Sequence, residues 1–284
     1  MVKKSAKSLR EKRALICDGG GMQGSFMAGV LKGFVENDIK DGYFDLCVGT
    51  SAGAFCLAYF LTGQIKEGLR IWEKHLPKGF IVWKNFHPYY DLDYLRKVIT
   101  KIEPLNLKKL KNAKSQLVVS LTKPGASKAY FIDLTKSDNV IDTLIASVSA
   151  PILTKDVCLN GEVYYDGGFT AQPPINHPEL KNYLTKVVLL TYPKGYRLKN
   201  WAWELGSKVL LKEPKLKKMV AMTPRLCNGI LNKIEKDKNL LVIQPEFVLP
   251  GDWLEKDASK LSKNVKIGIE TAKDFMKNGK LKLI

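Results

Sequence analysis

Three short stretches of this chain hold the residue types that acyl transfer needs. The first is "GTSAG", Gly49 to Gly53, preceded by the apolar run "YFDLCVGT" and continuing into "SAGAFCLAYFLTGQ". The earlier run suits a buried strand and the later one a buried helix, so Ser51 falls at a strand-to-helix turn. Glycines at 49 and 53 allow that sharp turn, which presents a serine hydroxyl at the carboxyl end of a sheet, beside a helix N-terminus. The five residues alone would equally describe a glycine-rich turn with a capping serine. Their flanking elements favour a nucleophile.

An activated serine needs a base, and the oxyanion of the tetrahedral intermediate needs donors. "YYDGGF" sets Asp166 at the end of a short apolar strand, ahead of Gly167 and Gly168. A partly desolvated carboxylate there could take the hydroxyl proton directly, although in isolation the stretch reads as an Asp-Gly turn. The third stretch, "ICDGGGMQGSF", carries Gly19, Gly20, Gly21 and Gly24 behind another short apolar run. Consecutive glycines can adopt positive φ and aim successive backbone N–H groups at one point, which suits an oxyanion. The same residues satisfy a dinucleotide fingerprint at 19, 21 and 24. That fingerprint expects an acidic residue at the end of the second strand, where this chain has Gly49-Thr50-Ser51. The nucleotide reading is weakened accordingly.

The elements that must hold these stretches follow a repeating pattern. Residues 14–17, "ALIC", read as a buried strand, and 25–35 as a helix; a strand over 43–50 and a helix in "SAGAFCLAYFLTGQ", ending near Gly63, repeat the order. Two strand-loop-helix units in sequence imply parallel strands and an α/β fold. An amphipathic helix over 65–75 leads into a Trp- and Tyr-rich connection, "PKGFIVWKNFHPYYDLDYL", whose aromatics read mostly as packing. "QLVVSLT" and "KAYFIDL" around "KPGAS" predict an antiparallel hairpin. A helix over 138–147, a short strand in "GEVYYDGGF" and a buried strand in "TKVVLLTY" come next. The chain closes with lysine-rich helical patterning over 203–237, a strand in "NLLVIQP" and an amphipathic helix over 253–277.

The blocks "DGGGMQGSFMAGVL", "GTSAG", "ASVSAP" and "DGG", in that order, resemble the patatin-like phospholipase family over residues 14–192. The resemblance implies a three-layer α/β/α sandwich with a mainly parallel central sheet, and a Ser-Asp dyad without histidine acting on lipid esters. Carried onto this chain, Ser51 is the nucleophile and Asp166 the general base. The oxyanion loop spans Gly19, Gly20, Gly21, Met22 and Gly24, with its donors around Gly20, Gly21 and Met22. Gly49 and Gly53 form the turn that presents the nucleophile. One departure stands out: Gln23 occupies the position where the family usually has Arg or Lys. Ser149 likewise replaces a commoner alanine in a segment read as support beside the site.

Composition bounds the alternatives. The 284 residues are 45% hydrophobic, enough for a well-buried core, and carry 46 Lys plus Arg against 28 Asp plus Glu, a formal charge of +18. Such a field favours anionic partners; no nucleic-acid module is recognisable, and an anionic membrane surface is the expected peripheral contact. Five cysteines without C-x-x-C spacing and three scattered histidines argue against a disulfide framework or metal centre, and no cofactor is expected. The basic start, "MVKKSAKSLREKR", lacks a following apolar core, and the longest apolar run, 52–61, falls short of the ~20 residues a spanning helix needs. A cytoplasmic protein follows, with at most a peripheral association at the inner face of the membrane. The expected organisation is a basic flexible arm over 1–13, a catalytic core over 14–192 and a helical extension over 193–284 packed on the same domain. Two rival readings stay open: a conventional Ser51-Asp166-His177 triad, and a basic lipid- or anion-binding protein with a weak or vestigial site.

Overall fold

The computed structural model describes residues 11–84, 87–279 and 281; the basic arm expected over 1–13 lies outside the described residues as far as residue 10. Strand β1 (Arg13–Cys17) passes through the glycine loop into α1 (Gly24–Glu36), and β2 (Leu46–Thr50) turns at Ser51 into α2 (Ala52–Leu61). Next come α3 (Ile65–Arg70), a π-helical turn (Ile71–His75), α4 (Leu76–Gly79), and the strands β3 (Ile81–Lys84) and β4 (His87–Tyr90). Helix α5 (Leu92–Lys97) runs into a second π-helical turn (Val98–Ile102), and α6 (Leu107–Lys111) follows. The middle of the chain forms β5 (Gln116–Thr122), β6 (Tyr130–Asp133), α7 (Val140–Ala146), β7 (Val157–Leu159) and β8 (Glu162–Asp166). It ends with β9 (Thr185–Leu189), α8 (Asn200–Leu210), α9 (Pro214–Lys236), β10 (Leu240–Ile243) and α10 (Ala258–Lys277).

These strands build one mixed sheet in the order β10-β9-β1-β2-β5-β8-β7, with β6 also paired to β5. The five strands from β10 to β5 are parallel, whereas β6 and β8 run antiparallel to β5. Ala14, Leu15, Ile16 and Cys17 are all fully buried, as a parallel strand covered on both faces requires. Leu15 and Cys17 join the large core beneath α1 and α2, while Ala14 and Ile16 join a second core with Ile230, Leu231 and Ile234 of α9. Two covered faces make the three-layer α/β/α sandwich.

Several local expectations change. The aromatic connection contains the antiparallel pair β3–β4, with Ile81 opposite Tyr90. The helix expected over 65–75 shifts into a π-helical turn and then α4, because Pro77 near the start of α4 has no N–H to continue the ladder. The closing helix begins at Ala258 rather than 253. The carboxylates of Asp252 and Asp257 accept the N–H groups of Leu254 (2.8 Å) and Ser259 (2.8 Å), which favours turns and a cap before the helix.

Helix α10 lies tightly against α1, the helix that the glycine loop enters. A Cβ added at Gly29 would come 2.1 Å from the Val265 carbonyl oxygen, and one at Gly268 would come 2.2 Å from that of Phe26. Neither contact is with a flexible side-chain end, so the two backbones would have to separate. Gly268→Leu is expected to lower the free energy of unfolding by about 3 kcal/mol or more, measured by urea denaturation.

Candidate active site

Ser51 stands one residue beyond β2, at φ 52° and ψ −124°, a strained conformation for a residue with a side chain. The turn needs its neighbouring glycines. A Cβ at Gly49 would sit 2.7 Å from the backbone of Ala54, and one at Gly53 would sit 2.3 Å from the Asp18 carbonyl oxygen. The Thr50 hydroxyl pins the preceding residue, pairing with the Ser120 hydroxyl and donating to the Ala171 carbonyl at 3.0 Å.

Sheet register brings Asp166 to the same level. Thr50 is opposite Ser120 in β5, and the next residue of β5, Leu121, is opposite Asp166 in β8. Asp166 thus enters the row one step beyond Thr50, which is the row of Ser51. Its N–H donates to the Ser149 carbonyl at 2.7 Å, so the "ASVSAP" segment holds the backbone of Asp166. The Gly168 N–H donates to its carboxylate at 2.8 Å. Burial pushes the Asp166 carboxyl up to about 7, and interactions with the Ser51 hydroxyl and the Gly168 N–H hold it from rising further. A carboxyl that titrates near neutrality therefore faces the serine.

The glycine loop divides its donors. Gly20 has φ 132° and Gly21 φ 54°, conformations that favour glycine. The Gly19 N–H donates to its neighbour Asp18 at 2.7 Å, the Met22 N–H to the Trp253 carbonyl at 3.1 Å, and the Gly24 N–H to the carbonyls of Gly21 and Met22. Of the loop members singled out from the sequence, Gly20 and Gly21 keep N–H groups with no protein partner among the described residues. Gln23 is buried at the entrance to α1.

Two participants escaped the sequence reading. Trp253 lies far away in the chain, in a stretch read as helix, and nothing in its surroundings signalled contact with the loop. Asp18 directly precedes the glycines and is fully buried, with one carboxyl oxygen unpartnered. Burial pushes its carboxyl well above the usual carboxylate range, with the charge of Asp166 adding in the same direction.

Ser51 and Gly21 open onto an apolar cleft of about 30 Å³, walled by Phe55, Trp72, Leu76, Phe80, Tyr90 and Leu95 among others. Trp72 belongs to the first π-helical turn, a local irregularity that often marks working sites. Phe80 and Tyr90 stack at 4.7 Å, so the aromatics of the β3–β4 region form a wall of the site as well as its packing.

His177 is elsewhere. Its ring packs edge-on against Phe131 at 4.7 Å, Glu179 and Asp133 are the acidic groups that act on it, and burial holds its pKa below the ordinary histidine value. His177→Ala is expected to retain most esterase activity in a p-nitrophenyl ester assay. Among the described residues no group of three or more His, Cys, Asp and Glu side chains could hold a metal ion. No helix among them is long and apolar enough to cross a membrane. Cys17, Cys47, Cys56 and Cys227 are buried free thiols, with burial pushing Cys56 up to about 12, whereas Cys158 is exposed.

A mostly parallel sheet flanked by helices, with a serine turn, a buried carboxyl and a glycine loop gathered at the carboxyl end of its parallel strands, is the arrangement found in α/β serine hydrolases. The chain belongs to the patatin-like phospholipase family, whose model matches residues 15–178. Among curated proteins it is similar to the uncharacterized protein YjjU of Escherichia coli (strain K12), with 30% identity over 192 residues, 63% of this chain. The aligned part is 52% of YjjU, so the chain spans about half the length of the curated relative it matches. Among solved structures it resembles VipD from Legionella pneumophila with a TM-score of 0.56 over 95% of this chain and 68% of that one. At 12% identity that likeness concerns the fold.

Proposed function

We propose that this protein hydrolyses fatty-acyl esters, those of phospholipids or lysophospholipids foremost, through a Ser51-Asp166 dyad. The observation that carries the reading is the buried Asp166 carboxyl, poised near neutrality beside the hydroxyl of a serine on a strained strand-to-helix turn. Ser51 Oγ attacks the ester carbonyl as Asp166 takes its proton, and the N–H groups of Gly20 and Gly21 stabilise the oxyanion. Collapse of the tetrahedral intermediate breaks the bond to the alcohol, which leaves with the proton held by Asp166. Water then attacks the acyl-serine, giving its proton to Asp166. The second collapse frees the fatty acid and returns the proton to Ser51. The apolar cleft beside Ser51 receives the acyl chain.

In this reading residues 14–192 form the catalytic core and 193–284 an extension of the same domain, without metal or organic cofactor. Its site of action is cytoplasmic. The test is an acyl-ester panel of phospholipid, lysophospholipid and neutral glyceride, comparing wild type with Ser51→Ala by mass spectrometry of released fatty acid. Release that depends on Ser51 is expected from at least one phospholipid class. Equal release by both proteins from every ester would refute the proposal.

A further inference from the structure

Helix α8 turns its apolar side outward. Trp201, Leu205 and Val209 recur every four residues and form one stripe on the exposed face, while Trp203 and Ser207 face the protein. A second exposed apolar group, Phe247, Val248 and Trp253, lies on the segment that follows β10. All six side chains are between 47% and 76% exposed. Solvated helices normally turn polar residues outward, so a stripe of this kind asks for a partner.

Both groups are attached to the site. Trp203, on the inner face of α8, meets Phe169 edge-on at 6.4 Å, three residues beyond Asp166 in the chain. Leu211, just past α8, shares a core with Phe169 and Ala150. The Trp253 carbonyl holds the Met22 N–H of the glycine loop at 3.1 Å. Moreover, β10 is parallel to β9 and β1, so the segment after it leaves from the same carboxyl end of the sheet as Ser51. Exposed Lys199, Lys208 and Lys212 flank the α8 stripe, with Glu204, Glu246 and Asp252 interspersed around the two groups, on a chain whose net charge is +18.

We propose that α8 and the 247–253 segment form a rim that docks the protein on an anionic lipid bilayer, seating the carboxyl end of the sheet against the surface that carries its substrate. The apolar stripe enters the boundary between headgroups and acyl chains, and the lysines meet anionic headgroups. The inference rests on the lipid-ester reading for its substrate, but bilayer binding itself requires no catalysis.

Flotation of the full chain with vesicles tests the rim. Wild type is expected to float with vesicles of equal parts phosphatidylcholine and phosphatidylglycerol, to float far less with phosphatidylcholine alone, and to be released by added salt. Trp201→Ser/Leu205→Ser/Val209→Ser and, separately, Lys208→Glu/Lys212→Glu are expected to reduce the floated fraction at least about tenfold. Each variant is first shown by circular dichroism to melt as wild type does, and Val209→Ser alone serves if the triple variant does not fold. Unchanged flotation of the folded variants, equal flotation with both vesicles, or a dimer that the triple variant converts to monomer would overturn the proposal. Ser51→Ala must float like wild type, so failure of the hydrolase reading leaves this result standing.

Discussion

Ser51→Ala and Asp166→Asn, made singly, are each expected to lower kcat for a fatty-acyl ester by roughly 10³-fold to 10⁴-fold, the scale on which a nucleophile or its base contributes. Serine loses the attacking oxygen. Asparagine keeps the shape of aspartate and an acceptor for the Gly168 N–H, but cannot accept the serine proton. Because Asp166 must be ionised to act as the proposed base, kcat/KM of the wild type is expected to rise with pH through a single ionisation near 7, where burial has moved the carboxyl. The sign for stability is opposite to that of a paired carboxylate. With its folded pKa raised, the native state binds the proton more tightly than the unfolded chain does. Asp166 therefore costs nothing well below pH 4, and its penalty grows as pH rises to about 7 and then levels off. A shift of that size corresponds to an upper bound on the order of 4 kcal/mol. Asp166→Asn should accordingly melt higher than wild type at pH 8, with the gain fading toward pH 4. A variant both nearly inactive and more stable at alkaline pH is the signature of a strained catalytic base; equal melting at both pH values would contradict it.

The second large effect is expected at Gly21. A Cβ there would stand 2.5 Å from the Trp253 carbonyl oxygen, and φ 54° is unfavourable for a β-branched residue. Gly21→Val must therefore rotate the peptide or displace the 253 segment that anchors the loop at Met22, and either change disturbs the loop that aims the N–H groups the proposed mechanism uses. Loss of one such donor lowers kcat by about 10²-fold to 10³-fold. Gly63→Ala is the control, because Gly63 shares the positive φ (70°) with no neighbour within 4 Å of the added Cβ. It should lose about 1 kcal/mol of stability in urea denaturation and keep its activity. Comparable activity losses in the two variants would show that strain alone, and no donor geometry, governs the loop.

Much of the fold was legible because its signals are local. The runs ending at Cys17 and Thr50 are apolar on both faces, and each is followed by glycines and a helical pattern, so two parallel units could be read directly. The hairpin of β5 and β6 was equally visible through the Pro-Gly turn between its halves. The strands β3 and β4 were hidden, since aromatic residues serve both strands and irregular packing. The start of α10 was hidden as well, because Asp252 and Asp257 divert backbone donors in a stretch whose apolar spacing otherwise looks helical.

The convergence of the candidate site's residues was legible to a similar depth. Ser51 and Asp166 sit in motifs whose glycines report close backbone approach, and the register of β2, β5 and β8 then brings them into one row. Which N–H groups of the loop are free was beyond the sequence. That depends on Asp18 folding back onto Gly19 and on Trp253, more than 200 residues away, covering Met22. The outward stripe of α8 was also hidden, since its periodicity is that of an ordinary amphipathic helix and only packing reveals which side faces the protein.

The central claim is that Ser51 is an activated nucleophile, and covalent capture tests it most directly. Folded wild type is treated at pH 8 with a fluorophosphonate probe and the adduct is mapped by peptide mass spectrometry. Stoichiometric modification at Ser51 is predicted, strongly slowed in Asp166→Asn and absent from denatured protein. An unmodified Ser51 in folded wild type, or labelling as fast in Asp166→Asn, would contradict the dyad.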